Sequence, residues 1–190
     1  MSLKYNKVSL GSIDEFNSFC NSNPDVKYID AILTDVSGII RGKRLPIKDA
    51  EKLFKSGIQF CYSTFLLDPT GYCPDAAGRG FSDGDPDATY YPVSGTLTKM
   101  PWHKDKLGQV LITIQDESRY SSIIDPRNVL AKVLERFDDL HLTFKVAFEL
   151  EFFLFRKRKN ISERPMPPIS NETKKQSEGN QVYGMRELDE

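Results

Sequence analysis

Residues 142–155 read LTFKVAFELEFFLF, an apolar stretch broken by two carboxylates, Glu149 and Glu151, two positions apart. Strand side chains alternate between faces, so both glutamates share one face, while Val146, Phe148, Leu150, Phe152 and Leu154 make the other. The apolar row predicts a strand packed onto a hydrophobic core in one fixed register. Two like charges side by side in a mostly buried strand are costly unless cations meet them, and divalent metal ions or arginines are the candidates. The spacing alone also allows a strand at the lip of a sheet with its glutamates solvated or salt-bridged.

The rest of the composition narrows the class. With 190 residues and 39% hydrophobic content the chain can build a real core, so disorder is excluded as its general state. A net charge of −1, with both signs interspersed, leaves no basic stripe for nucleic acid. Cys20, Cys61 and Cys73 are odd in number and lack CxxC spacing, which points to reduced thiols in a cytoplasmic protein rather than a disulfide or zinc framework. The first residues have no apolar core of signal-peptide length, and no segment reaches the roughly 20 apolar residues of a membrane span.

Read in order, the chain starts with an amphipathic helix over 12–21, with Ser12 and Glu15 in capping-box spacing and Ile13, Phe16, Phe19 and Cys20 on one side. Residues 26–35 and 39–47 form a hairpin about Ser37-Gly38; a helix over 48–56 stops at Gly57, and a strand over 58–61 follows. The stretch 66–87, rich in Gly, Pro and Asp, predicts a long irregular loop. Short strands over 88–93 and 96–100, a packing anchor at Pro101-Trp102 and a strand over 108–116 complete an α+β unit. Asp125-Pro126 supplies an N-cap and a first-turn proline for a helix over 127–139, with Val129, Leu130, Val133, Leu134 and Phe137 facing inward. A domain boundary is expected between Asp116 and Asp125, giving domains 1–118 and 119–190. After Arg156-Lys157-Arg158-Lys159 the tail is polar and proline-rich, with an island at Gln181-Val182-Tyr183 and a helix start at Arg186.

Together, Asp35, Gly38 and Arg41-Gly42-Lys43, the run Ser82-Asp83-Gly84-Asp85-Pro86-Asp87, Met100-Pro101-Trp102, Asp125-Pro126-Arg127 and FELEFFLF resemble the glutamine synthetase family, in its branch that joins glutamate to amines other than ammonia. The resemblance runs from about Val26 to the last residue, and FELEFFLF is its most specific element. It implies a β-grasp-like N-terminal domain followed by the first helix and strand of a catalytic domain. It also implies ATP as co-substrate, Mg2+ or Mn2+, and a homo-oligomer with shared active sites. The activity implied is ATP-dependent condensation of the glutamate γ-carboxyl with an amine through a γ-glutamyl phosphate, chemistry that runs on positioning and charge neutralisation by metals.

By the same resemblance Glu149 matches the glutamate that helps bind the metal bridging the ATP phosphates, and Glu151 the one that binds the metal nearer the glutamate substrate. Asp87 matches a carboxylate that faces a neighbouring subunit's active site; a loop aspartate capping a turn is the other reading of it. Where glutamine synthetases carry an aspartate in a D-G-S-S motif that binds ammonium, this sequence has Phe60-Cys61-Tyr62-Ser63-Thr64, which suits a larger, partly apolar amine; a core strand residue is the other reading of Cys61. The family's remaining metal ligands, substrate arginines and most of its nucleotide pocket are expected beyond Glu190. Arg41 and Lys43 read as solvated hairpin residues, and His103 and His141 lack metal-spaced partners. Two other classes compete: a non-catalytic binding or assembly module, and a hydrolase using the glutamate pair, for which no opposing catalytic wall is visible.

Overall fold

The computed structural model describes residues 8–75, 78, 80, 82–103, 106–114, 124–171 and 173–176. The expected boundary between 116 and 125, the Gln181-Val182-Tyr183 island and the helix start at Arg186 lie outside them. The chain divides into two compact units, 1–144 and 145–190.

In the first unit, α1 (Ile13–Ser22) begins where Ser12 Oγ accepts from the Glu15 N–H at 3.2 Å. The hairpin follows as β1 (Tyr28–Thr34) and β2 (Ile40–Pro46), then α2 (Ile47–Ser56), β3 (Ile58–Cys61) and a 3-10 turn (Tyr62–Leu66). After the irregular loop come β4 (Asp87–Pro92), β5 (Thr98–Lys99) and β6 (Leu107–Ile114), then α3 (Pro126–Asp139). The sheet order is β2-β1-β6-β4-β3, with β5 also on β6. Strand β6 is the hinge of this order: it runs parallel to β1 from Tyr28/Leu107 to Ile32/Leu111 and antiparallel to β4 from Tyr90/Ile114 to Pro92/Ile112.

One sheet face is buried. β1 alternates, burying Ile29, Ala31 and Leu33, and β4 buries Ala88, Tyr90 and Pro92. Helix α2 covers this face with Ala50, Leu53 and Phe54, and Phe54 meets Phe16 of α1 at 5.1 Å between ring centroids. The sheet curls until its two edge strands meet: Lys43 Nζ on β2 donates to the Gln59 carbonyl on β3 at 2.8 Å and lies 4.4 Å from the centre of the Phe60 ring. Gly42 permits the hairpin's close approach, since a Cβ there would sit 2.1 Å from the Ala31 carbonyl oxygen.

The hairpin turn is organised by a buried acid. Asp35 is 2% exposed and accepts from the Ser37 and Ile39 N–H groups at 2.9 and 2.8 Å and from Arg41 Nε at 2.6 Å. Arg41 Nη2 also donates to the Asp68 carbonyl at 2.8 Å, pinning the long loop to β2. Arg41 is thus a half-buried structural tie rather than the solvated residue its sequence context suggests, whereas Lys43 is exposed as expected while also bonding to β3. At the other end, Asp125 caps α3 through the Arg127 N–H at 2.8 Å and accepts from the Thr113 hydroxyl and the Ile114 N–H, while Asn128 Nδ2 donates to the Ile114 carbonyl at 2.8 Å.

Three expectations are corrected. Trp102 is 74% exposed, because the turn closed by Met100 N–H to the Leu107 carbonyl carries it away from the core. Val129, Leu130 and Val133 are exposed rather than inward, while Leu134 and Phe137 are half-buried, Phe137 against Phe144 at 5.3 Å between ring centroids; α3 is anchored through its capped N-terminus. The segment 142–155 forms no ladder among the described residues, and Phe148 and Leu150 are 90% and 85% exposed, because a strand requires a neighbour's N–H and C=O groups and none runs beside it. The second unit is held instead by the Arg156 N–H donating to the Met166 carbonyl at 2.9 Å, a bridge between Ile169 and Gln176, and an ion pair of Arg156 with Glu163. No helix among the described residues is long and apolar enough to cross a membrane.

Burial pushes the Asp35 pKa up, but the Arg41 guanidinium and the Ile39 and Ser37 N–H groups outweigh it and hold the carboxyl below its ordinary value. Its contribution is therefore complete above the unfolded value of about 3.9 and is lost as pH falls through the lower folded value. Urea unfolding of Asp35→Asn is expected to show a deficit of about 1–3 kcal/mol at pH 6 that closes below about pH 4; a constant deficit over that range would show the carboxylate's charge to be immaterial.

Candidate functional site

Two positions singled out for the amine lie opposite one another. Cys61 ends β3, Asp87 begins β4, and they are register partners, with the Cys61 thiol donating to Asp87 Oδ1 at 3.5 Å. Asp87 is exposed and Cys61 half-buried, so the pair stands at the rim of the sheet. The local sequence explains the placement. Residues 62–66 turn back immediately after β3, and the Tyr62 N–H donates to the Pro86 carbonyl at 3.1 Å, closing the ladder just beyond the pair.

Asp85, missed in the sequence reading, supports this rim. Its carboxylate accepts from the Ser63 hydroxyl at 3.0 Å and the Ser63 N–H at 3.4 Å, and its backbone is left-handed with φ of 46°. The run of aspartates in 83–87 was the available signal, since Asp tolerates this conformation and bonds nearby backbone. Beneath the rim, Tyr90 is fully buried, its ring 5.1 Å from Phe60 and 5.6 Å from Phe65, and its hydroxyl donates to the Cys61 carbonyl at 3.1 Å. Burial, and after it the charge of Asp125, pushes the Tyr90 phenol far up, so it stays a donor. Burial first, then the bond to Asp87 and the charge of Asp85, pushes the Cys61 thiol up to about 11.

Glu149 and Glu151 belong to the second unit, where both are exposed and form no ion pair among the described residues. No group of three or more His, Cys, Asp or Glu able to hold a metal ion occurs among the described residues. Two exposed carboxylates on one side of an extended segment fit a hard divalent cation as part of a ligand set that wants about six oxygens. Separately, a shallow groove of about 380 Å3 runs along the hairpin, lined by Asp30, Ile32, Ile40 and residues 41–44. Its charges are already engaged: Arg44 holds Asp30 through two bonds of 2.7 and 2.9 Å, and Arg41 holds Asp35. The described site residues therefore lie elsewhere, at the β3/β4 rim and in 149–151.

The family model "Glutamine synthetase, catalytic domain" matches residues 123–190. The chain is 34% identical over 174 residues to γ-glutamylputrescine synthetase PuuA of Escherichia coli (strain K12), covering 92% of this chain and 37% of that protein. It is 30% identical over 122 residues to a glutamate–isopropylamine ligase of Pseudomonas sp., covering 63% and 26%, and 29% identical over 133 residues to a glutamine synthetase of Pyrococcus horikoshii, covering 70% and 26%. Among solved structures, a GmaS/ADP complex matches at a TM-score of 0.50 and 22% identity over 66% of this chain and 26% of that one, a likeness of fold. By sequence, therefore, residues 123–190 match the glutamine synthetase catalytic-domain family, and most of the chain is similar to a glutamate–amine ligase of that kind. The chain spans 37% or less of the length of these relatives.

The thiolate is the reactive form of cysteine, so Cys61 is expected to alkylate slowly at pH 8, with a rate that climbs toward pH 11. Asp87→Asn should shift that profile to lower pH. Iodoacetamide labelling read by peptide mass checks both, and a Cys61 profile at the ordinary value of about 8.5 would remove the pair's influence on the thiol.

Proposed function

We propose that the complete protein is an ATP-dependent ligase joining the γ-carboxyl of glutamate to an organic amine, in preference to ammonium, and that this chain supplies part of its site. The observation that carries the reading is the 34% identity to a γ-glutamylputrescine synthetase over 92% of the chain. The β3/β4 rim supports the choice of amine. A thiol opposite Asp87 gives one carboxylate beside a weakly polar group, which suits an alkylammonium better than a small, fully hydrated ammonium ion.

In this reading the sheet of the first unit is a β-grasp, and Asp87, exposed at its rim, faces the active site of a neighbouring subunit in a homo-oligomer. Glu149 and Glu151 would hold Mg2+ or Mn2+, Glu149 as the ligand on the ATP side and Glu151 as the ligand on the glutamate side. Such a cation, when bound, would supply neutralisation of phosphate charge for formation of a γ-glutamyl phosphate. Asp87 orients the alkylammonium and takes a proton from it, which frees the nitrogen lone pair to form the N–C bond at the γ-carbonyl carbon as the C–O bond to phosphate breaks. The domain division at about residue 118 and a cytoplasmic setting, to which Cys20, Cys61 and Cys73 outside any disulfide are suited, belong to the same reading.

The test is glutamate-dependent phosphate release by the full-length parent with putrescine and with ammonium. Putrescine is expected to have the higher kcat/KM, and a preference for ammonium sinks the amine assignment. Cys61→Asp, which sets two carboxylates opposite each other, should move selectivity toward ammonium. Glu149→Ala and Glu151→Ala should each lower kcat/KM by roughly 10- to 1,000-fold, or about 1.4–4 kcal/mol, with little change in Tm. The 190-residue chain assayed alone should release no glutamate-dependent phosphate.

A further inference from the structure

Asp87, read above as the group that takes a proton from the amine, has little of its own to orient it. It is exposed, and among the described residues its side chain meets the Cys61 thiol at 3.5 Å, a weak donor. The β3/β4 ladder ends at this pair, so the direction of the carboxylate is inherited from the backbone that enters β4.

That backbone is held in an unfavourable shape. Asp85 is left-handed, with φ of 46°, although it carries a side chain and precedes Pro86, and a proline favours an extended residue before it. Such a conformation persists only where its surroundings fix it. Here the Asp85 carboxylate accepts from the hydroxyl and the N–H of Ser63, itself 5% exposed, at 3.0 and 3.4 Å. The Asp85 N–H donates to Asp83 Oδ1 at 3.1 Å, and the Pro86 carbonyl accepts from the Tyr62 N–H at 3.1 Å. The strained residue is therefore tied to the turn that follows β3, immediately beyond the Cys61–Asp87 pair.

The geometry points to Asp85 as a positioning residue of the amine step: its bonds to Ser63 hold residues 85–87 in the shape that sets the Asp87 carboxylate against the Cys61 thiol, and so present it to an alkylammonium in one orientation. This rests on the ligase reading for what Asp87 does, and not for where Asp87 is held. Charge acts at the same place, since burial, then Asp87 and Asp85, discourage ionisation of the Cys61 thiol and keep it a donor. Two substitutions separate position from charge. Asp85→Ala removes both the bonds and the charge. Asp85→Asn removes the charge alone, because Asn tolerates the left-handed region and keeps an acceptor for the Ser63 hydroxyl.

The first measurement is a mutant cycle on Cys61 alkylation by iodoacetamide across pH in the 190-residue chain, which needs no turnover. Asp87→Asn is expected to shift the profile in the wild-type and Asp85→Asn backgrounds and to leave it unmoved in the Asp85→Ala background, where Asp87 is no longer held at the thiol. A shift of equal size in all three backgrounds would overturn the proposal. Should Asp85→Ala not fold, as circular dichroism and Tm would show, Ser63→Ala carries the same cycle with the same outcomes. The second measurement is steady-state turnover of the full-length parent with putrescine. Asp85→Ala should lower kcat/KM for the amine roughly 10- to 100-fold with KM for glutamate unchanged, as misplacing a reacting group does, while Asp85→Asn stays within about threefold of wild type. Wild-type turnover by Asp85→Ala, equal losses in the two variants, or a loss shared by amine and glutamate would each overturn the positioning role. A wild-type parent that turns over no amine sinks the ligase reading instead, and the alkylation cycle then decides by itself how Asp87 is held.

Discussion

Tyr90 is the constraint on which the rest of the first unit depends. It is fully buried at the centre of β4, its ring lies between Phe60 and Phe65, and its hydroxyl is matched to the Cys61 carbonyl. A buried phenol costs stability unless that hydroxyl finds a partner, so satisfying it fixes where β3 ends. With β3 ending at Cys61, the 3-10 turn must begin at Tyr62, and Cys61 must face Asp87 across the ladder. Core packing and rim chemistry are therefore set by the same side chain.

Charge is handled in two ways. In the first unit the buried acids are met on every side. Asp35 takes two backbone N–H groups and Arg41, and Asp125 takes the Thr113 hydroxyl and the N–H groups of Ile114 and Arg127. Each ties distant parts of the chain together, the hairpin to the long loop and β6 to α3, as buried charges do when fully hydrogen-bonded. In 149–151 the carboxylates are left in solvent, where they cost little and stay available to cations.

The exposed apolar stripe of 146–155 reflects a separation of pattern from partner. Alternation decides which side chains share a face, and that holds here, as the Phe153–Phe155 stacking shows. Burial requires another surface. Among the described residues Phe148 and Leu150 are left bare, and Val129, Leu130 and Val133, expected on the inner side of α3, are exposed.

The sequence by itself determined the local elements and their ends. Ser12 and Glu15 marked the start of α1, Gly57 the end of α2, and Asp125-Pro126 the start of α3, because caps and turns are decided by residues within a few positions of one another. Its motif spacing also carried the family resemblance that the comparisons support. Only the tertiary structure decided the partners. The parallel pairing of β1 with β6, the curl that seats Lys43 on β3 and the meeting of Cys61 with Asp87 join residues 16 to 79 positions apart, beyond the reach of periodicity. The failures have the same cause: Trp102 and the inner stripe of α3 looked like core because they are apolar, but burial depends on which surfaces the long-range pairings bring together.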